Sequence, residues 1–92
     1  MIKSFAHKGL GRFYGRGTKA GIQAKHANTL RVILGLLDAA TGPEDLNAPA
    51  LRLHKLSGER SQTWSVKVSG NWRITFTFEG EDLADVDYED YH

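Results

Sequence analysis

Apolar and polar residues alternate without a break over residues 71–78, and this alternation constrains the fold more than any other stretch. The apolar positions are Trp72, Ile74, Phe76 and Phe78, and the polar positions are Arg73, Thr75 and Thr77. A period of two, built from aromatic and β-branched residues, is typical of a strand with one buried face. The pattern predicts a central strand whose aromatic face packs on a helical layer. Arg73 then lies on the opposite face, either as a solvated side chain or as the cation of a site.

The length and composition bound the class of protein. The chain has 92 residues and no cysteine, so we expect residues 1–92 to form one domain without disulfides or a cysteine-based metal site. Its apolar runs are too short to cross a membrane, and no apolar signal region follows the first residues. We therefore expect a cytoplasmic protein with no membrane partner.

The charges are divided between the two ends of the chain, although the net charge is only +1. Residues 1–37 contain seven Lys or Arg residues and no acid, whereas residues 79–92 contain seven acids and no Lys or Arg. This division predicts a basic surface that faces a polyanion and a separate acidic surface. The alternative is that the two ends attract each other within the fold.

The first part of the chain combines a short extended segment with a glycine-containing helix. Residues 2–5 alternate and predict a first strand, with Ser4 as a candidate helix cap. Leu10, Phe13 and Tyr14 have helical spacing, which predicts a helix over residues 8–16 that ends at Gly17. The three glycines of this segment match neither phosphate-binding loop pattern.

Residues 22–40 carry the strongest helical pattern. An apolar stripe is formed by Leu30, Ile33, Leu34 and Leu37. Val32 and Leu36 lie off this stripe, and we expect them to contact a second helix rather than a partner protein.

The period changes to two from residue 51 onward. Strands are predicted over residues 51–56, 64–68, 71–78 and 83–88, with a tight turn at residues 69–71. In the last strand, Ala84, Val86 and Tyr88 are expected on one face, and Asp85 and Asp87 on the other. The order of elements predicts an α+β fold, in which two N-terminal helices pack on a mainly antiparallel sheet of four to five strands.

The polar side of this sheet collects groups that could carry chemistry. They are Arg52, His54, Ser65, Lys67, Arg73 and Thr75, and the segment Asp90-Tyr91-His92 follows a neighbouring strand. Metal-free cleavage of RNA needs a base for the 2′-OH, a cation for the pentacoordinate phosphate and an acid for the leaving 5′-oxygen. The set contains these groups, although a terminal His such as His92 is more often a frayed end, and a single strand His such as His54 is usually a half-buried structural residue.

No cofactor or metal is expected. Asp85, Asp87 and Glu89 resemble the opening of a calcium loop, but the glycine and the final Glu of that loop are missing. The sequence also contains no nucleotide-binding motif and no signature of serine-based hydrolysis.

Several segments together resemble a known family. They are Met1-Ile2-Lys3-Ser4-Phe5 with Lys8-Gly9-Leu10, Leu37-Asp38-Ala39-Ala40, Arg52-Leu53-His54-Lys55-Leu56, Asn71-Trp72-Arg73-Ile74-Thr75-Phe76 and Asp90-Tyr91-His92. Over essentially its whole length the chain resembles the HigB toxins of bacterial type II toxin–antitoxin systems, within the RelE/ParE superfamily. The resemblance implies a RelE-like fold and a metal-independent endoribonuclease that cuts mRNA in the ribosomal A site.

The resemblance also implies roles for individual residues. Positions linked to RNA binding and cleavage are His54, Asn71, Arg73, Asp90, Tyr91 and His92. Arg73 would hold the scissile phosphate, while the last three would supply proton transfer and position the nucleotide. A family pattern has Lys where this chain has Ser57, and Lys55 or Arg60 could supply that charge. Lys67 completes the expected RNA-binding set.

The implied partners are a HigA-like helix-turn-helix antitoxin, the 70S ribosome with its mRNA, and operator DNA only through the antitoxin complex. Two alternatives stay open. One is a ParE-like toxin that binds a protein target such as gyrase without cutting RNA. The other is a catalytically weak relative, which Ser57 favours, that acts mainly in control of its own operon.

Overall fold

A computed structural model of the protein describes residues 1–91. The helices are α1 (Lys8–Arg16) and α2 (Ala27–Ala39), and the strands are β1 (His54–Lys55), β2 (Trp64–Ser69), β3 (Trp72–Glu79) and β4 (Asp82–Asp90). The strands form one antiparallel sheet in the order β1-β2-β3-β4, which confirms the predicted α+β class. Neither helix of the described chain is long and apolar enough to cross a membrane.

The core lies between the helices and one face of the sheet. The stripe predicted on α2 is buried, and its members meet fully buried sheet residues that include Val66, Ile74 and Phe76. The predicted aromatic face of β3 is therefore confirmed, with Trp72 and Phe78 packed at the margins of the core.

Helix α1 has the predicted bounds, but its N-cap differs from the prediction. Gly17 ends the helix with a φ of 77°, a conformation that glycine adopts without strain. The N-cap is His7, whose Nδ1 accepts a hydrogen bond from the Leu10 amide at 2.9 Å. The Ser4 hydroxyl instead accepts from the amide of Asp85 at 2.9 Å, because residues 2–5 lie beside β4.

Gly9 has a packing role that offsets its low helix propensity. A Cβ at this position would lie 2.7 Å from the carbonyl oxygen of Gly21. Glycine at both positions therefore allows the backbone before α2 to cross α1 in direct contact.

Helix α2 is shorter than predicted and leaves two apolar residues exposed. Ala24–His26 forms a 3₁₀ turn, so the α-helix begins at Ala27. The side chains of Val32 and Leu36 are 64% and 43% exposed, so the expectation that they touch a second helix is wrong. The reason is that α1 meets α2 on a different side, where the Arg31 guanidinium lies 5.3 Å from the centre of the Phe13 ring.

The predicted first strand is present only as two isolated bridges beside β4. Ile2 pairs with Leu83 and Phe5 with Val86, both in parallel orientation. Among the described residues, the sheet thus has four strands, with two isolated parallel bridges beside β4.

Strand β1 is shorter than the predicted 51–56. Pro49–Leu51 forms a 3₁₀ turn, and Arg52 follows it with a φ of 47°. Proline fits the start of such a turn, and a positive φ interrupts an extended chain. Arg52 therefore lies outside the sheet, and only His54 and Lys55 pair with β2.

A β-bulge at Asp85 changes the facing of β4. Asp85 has a φ of 53°, and the register moves from Thr75 opposite Asp87 to Thr77 opposite Ala84. The extra residue shifts the alternation by one position. Leu83 therefore shares the core face with Val86 and Tyr88, and the prediction that Ala84 lies with them is wrong.

Candidate active site

The sheet face directed away from the helices carries two rows of polar residues that run across the strands. One row is His54, Ser65, Thr75 and Asp87, and the next is Lys67, Arg73 and Glu89. Each member is the register partner of its neighbour, so their side chains project from the same face. The antiparallel ladder thereby brings four separate segments of the chain to one surface.

Tyr91 extends this face beyond the end of β4. Its amide donates a hydrogen bond to the carbonyl oxygen of Asn71 at 2.8 Å, which continues the β3–β4 pairing past Asp90. Every second side chain of a strand lies on the same face. Tyr91 therefore lies on the polar face, as Glu89 does. Asn71 lies in the exposed turn between β2 and β3.

Arg60 contacts two residues of the polar face, Glu89 and Tyr91. It ends the 3₁₀ turn Gly58–Arg60, and its Nη1 and Nη2 donate to the two carboxylate oxygens of Glu89 at 3.1 and 2.7 Å. The same Nη1 donates to the phenolic oxygen of Tyr91 at 3.1 Å. The hydroxyl of Thr75 also donates a hydrogen bond to the carboxylate of Glu89.

These contacts set the charge state of the cluster. The hydrogen bonds from Arg60 lower the pKa of Glu89; burial acts in the opposite direction, and the Thr75 hydroxyl adds to the lowering. Glu89 in turn raises the pKa of Arg60. Both groups are therefore charged at neutral pH, and the charge of Arg60 is balanced where it lies.

Arg73 differs from Arg60 in its surroundings. Within residues 1–91 its guanidinium forms no ion pair, and its Nη1 is buried without a hydrogen-bond partner. The hydroxyl of Ser65 on the neighbouring strand is likewise buried without one. Unmet polar groups of this kind are uncommon in folded proteins, and here two of them lie on the same face.

The helix side of the same strands carries an aromatic cluster. The rings of Trp72 and Tyr88 lie 4.5 Å apart, and the imidazole of His26 lies 5.7 Å from Trp72. His26 is 3% exposed, and its Nδ1 is hydrogen-bonded to the Tyr88 hydroxyl. Burial, assisted by the charge of Lys25, lowers the pKa of His26, and burial raises the pKa of Tyr88. This cluster fixes β3 and β4 against the start of α2.

Comparison with known proteins gives the same result as the sequence motifs. A family model described as the RelE-like toxin of the type II toxin-antitoxin system HigB matches residues 3–92. The chain belongs to the HigB-like toxin family. It is 42% identical over 92 residues to a Proteus vulgaris protein named Endoribonuclease HigB, with 100% of each chain covered.

The HigB-like residues singled out from the sequence are divided between the two sides of the sheet. The polar face brings together His54, Arg60, Lys67, Arg73 and Tyr91, with Asn71 at its end. Lys55 is the register partner of Trp64, and its ammonium lies 5.5 Å from the centre of that ring. Asp90 is the register partner of Trp72, and its charge contributes to the raised pKa of Tyr88. Both therefore lie toward the helix side, and His92 is outside the described residues.

Sequence reasoning did not assign Glu89 to the site of this HigB-like toxin. Alternation from Tyr91 places Glu89 two residues earlier on the same face, so this signal was available. Its partner Arg60 lies 29 residues away in the chain and shows no such signal. Among residues 1–91, no cluster of three or more His, Asp or Glu side chains is arranged to hold a metal ion.

Proposed function

We propose that this protein is the toxin of a type II toxin–antitoxin pair, with a RelE-like fold, and that it is an endoribonuclease that cuts mRNA in the ribosomal A site. The observation that carries the proposal is the unpaired guanidinium of Arg73 on the polar sheet face. A guanidinium matches the geometry of a phosphate, and this one forms no ion pair with any carboxylate of the described residues. Family membership and the name of the Proteus vulgaris relative support the same activity.

The order of the strands supports a division of labour around Arg73. Arg73 is on β3, with His54 two strands away on β1 and Tyr91 just beyond β4 on the other side. At about 4.8 Å between strands, these side chains start roughly 10 Å and 5 Å from the strand of Arg73. These positions support the proposal that proton-transfer groups lie on both sides of a phosphate held by Arg73, as in-line attack requires.

The proposed reaction uses side chains rather than a metal-bound water. The 2′-oxygen attacks the adjacent phosphorus, so that the O2′–P bond forms while the P–O5′ bond breaks. One side chain accepts the 2′-OH proton, and another donates a proton to the leaving 5′-oxygen. Arg73 stabilises the charge of the pentacoordinate phosphate. We assign the two proton transfers to the set His54, Tyr91 and His92. We assign Asp90, at the end of β4, a supporting role in positioning the nucleotide.

The surface charge supports a ribosomal location. All seven Lys and Arg residues of the segment 1–37 are exposed, and the segment contains no acid. Such a surface fits ribosomal RNA, with a salt-dependent affinity. Lys67 and Asn71 would contact the mRNA, and the protein would act in the cytoplasm. We assign a HigA-like helix-turn-helix antitoxin as the neutralising partner, with operator DNA reached only through that complex.

The test is cleavage of a defined mRNA, with and without ribosomes that hold its codon in the A site. We expect cuts in the A-site codon only in the ribosomal complex, and none with Arg73→Ala. Cuts in naked mRNA would remove the ribosome from the mechanism. Growth arrest with intact mRNA and inhibited gyrase would instead support the ParE-like alternative. A neighbouring reading frame for a helix-turn-helix protein that restores growth would identify the antitoxin.

A further inference from the structure

We propose that Arg60 and Glu89 form a positioning pair for Tyr91, and that Arg60 does not bind RNA itself. This inference rests on the proposed function, because it assigns roles within the same site. It explains why a carboxylate, that of Glu89, lies on the strand next to the phosphate-binding Arg73, although RNA cleavage does not itself require one there.

The pair is anchored in the ladder between β3 and β4. Glu89 is the register partner of Arg73 within the β3–β4 ladder, and it accepts a hydrogen bond from Thr75, which is 1% exposed. Arg60, in contrast, lies on an exposed turn that joins β1 and β2. A bidentate pair fixes both distance and orientation. The two-point contact with Glu89 therefore holds the guanidinium of Arg60 in place relative to the sheet, although Arg60 lies on a loop.

The contact with Tyr91 has a defined direction. A guanidinium has donors and no acceptor, so Arg60 must donate to the phenolic oxygen and cannot receive the phenolic proton. The O–H of Tyr91 therefore points away from Arg60 and is available to donate to a bound substrate. A charged donor on the phenolic oxygen also strengthens the O–H as a donor, because linked hydrogen bonds polarise one another.

The charge balance argues against a direct role for Arg60 in RNA binding. Glu89 is 22% exposed at its side chain and is compensated by Arg60. If Arg60 moved to a phosphate, this carboxylate would be left without its cation beside the RNA backbone. The pair as it stands adds no net charge to the site, and Arg73 keeps the role of the free cation.

The decisive experiment compares single-turnover cleavage of an A-site codon in two backgrounds. In the wild-type background, we expect Arg60→Ala and Glu89→Gln each to lower the rate about 10-fold or more, with the same salt dependence of binding as the wild type. Arg60→Lys should not restore the rate, because an ammonium lacks the planar fork that holds both carboxylate oxygens of Glu89. In a Tyr91→Phe background, neither substitution should lower the rate further. A further loss there, or a salt slope reduced by about one, would show that Arg60 contacts RNA and would overturn the proposal.

A second measurement does not depend on cleavage. We expect the guanidinium N–H signals of Arg60 to be resolved by NMR in the free protein, to shift in Tyr91→Phe and to be lost in Glu89→Gln. Glu59→Gln changes an exposed acid next to Arg60 and should leave these signals unchanged. Signals insensitive to both Tyr91 and Glu89 would overturn the pair. If the signals respond to these substitutions as expected but the wild-type protein never cuts mRNA, the pair is supported and the proposed function is refuted.

Discussion

Trp72 and Tyr88 stack with their ring centres 4.5 Å apart and their planes at 31°, on the side of the sheet opposite to Arg73. Trp72 and Arg73 are neighbours in sequence, so one strand supplies a core contact and a site cation from consecutive positions. Substitutions at these two positions should therefore have separable effects on stability and on activity.

Trp72→Ala should destabilise the protein by about 3 kcal/mol, the lower end of the range for large aromatic truncations. The lower end applies because Trp72 is only partly buried, although it contacts both Tyr88 and His26. The measurement is urea unfolding at pH 7.5. Lost activity at an unchanged midpoint would place Trp72 on the RNA side and contradict the observed facing.

Arg73→Ala should abolish toxicity in a growth assay and leave the unfolding midpoint nearly unchanged. The substitution removes the cation from the polar face and also removes a buried donor that has no partner among residues 1–91. Arg52→Gln is the matched control, because Arg52 is exposed outside the sheet. A folded, soluble Arg73→Ala protein with full toxicity would rule out the polar face as the site.

His92→Gln should lower single-turnover cleavage by about 10²–10⁴-fold, the usual range for a lost general acid or base. Ribosome binding should persist, because contacts between phosphates and Lys or Arg supply most of such affinity. Cleavage and binding should be measured on the same complexes. An unchanged rate would remove His92 from the mechanism and leave proton transfer to His54 and Tyr91.

Stability should fall as the pH decreases below about 6.5, the ordinary pKa of histidine. The pKa of His26 is lowered in the folded protein, so the unfolded chain binds the additional proton first. The contribution of the neutral imidazole is fully present above that pH and is lost below it. His26→Gln should flatten the unfolding midpoints between pH 7.5 and pH 5.5, and a variant with the pH dependence of the wild type would contradict this role of His26.

The Glu89 carboxylate acts in a separate and lower pH window. Its folded pKa is lowered from 4.5, so its stabilising effect is present above about pH 4.5 and is lost as the pH falls through the lowered value. Glu89→Gln should reduce the acid sensitivity of unfolding in that range and leave the change near pH 6.5 intact. A Glu89→Gln protein with wild-type acid sensitivity would show that the pairing with Arg60 contributes nothing to stability.

The sequence by itself determined the features that depend on one segment at a time. The bounds of α1 followed from helical spacing and Gly17, and the two faces of β3 followed from alternation between Trp72 and Phe78. Periodicity reports which side of its own segment a residue occupies, because burial imposes the period of the helix or the strand. The family resemblance was equally local, since it rests on short motifs along the chain, and the family match confirms it.

Only the tertiary structure decided which segments meet. The bulge at Asp85 moved Leu83 into the core, and strand register placed Glu89 opposite Arg73. The contacts of Arg60 with Glu89 and Tyr91 join residues 29 and 31 positions apart. Such pairs depend on strand order, register and loop path, and a local pattern of apolar and polar residues contains none of these three.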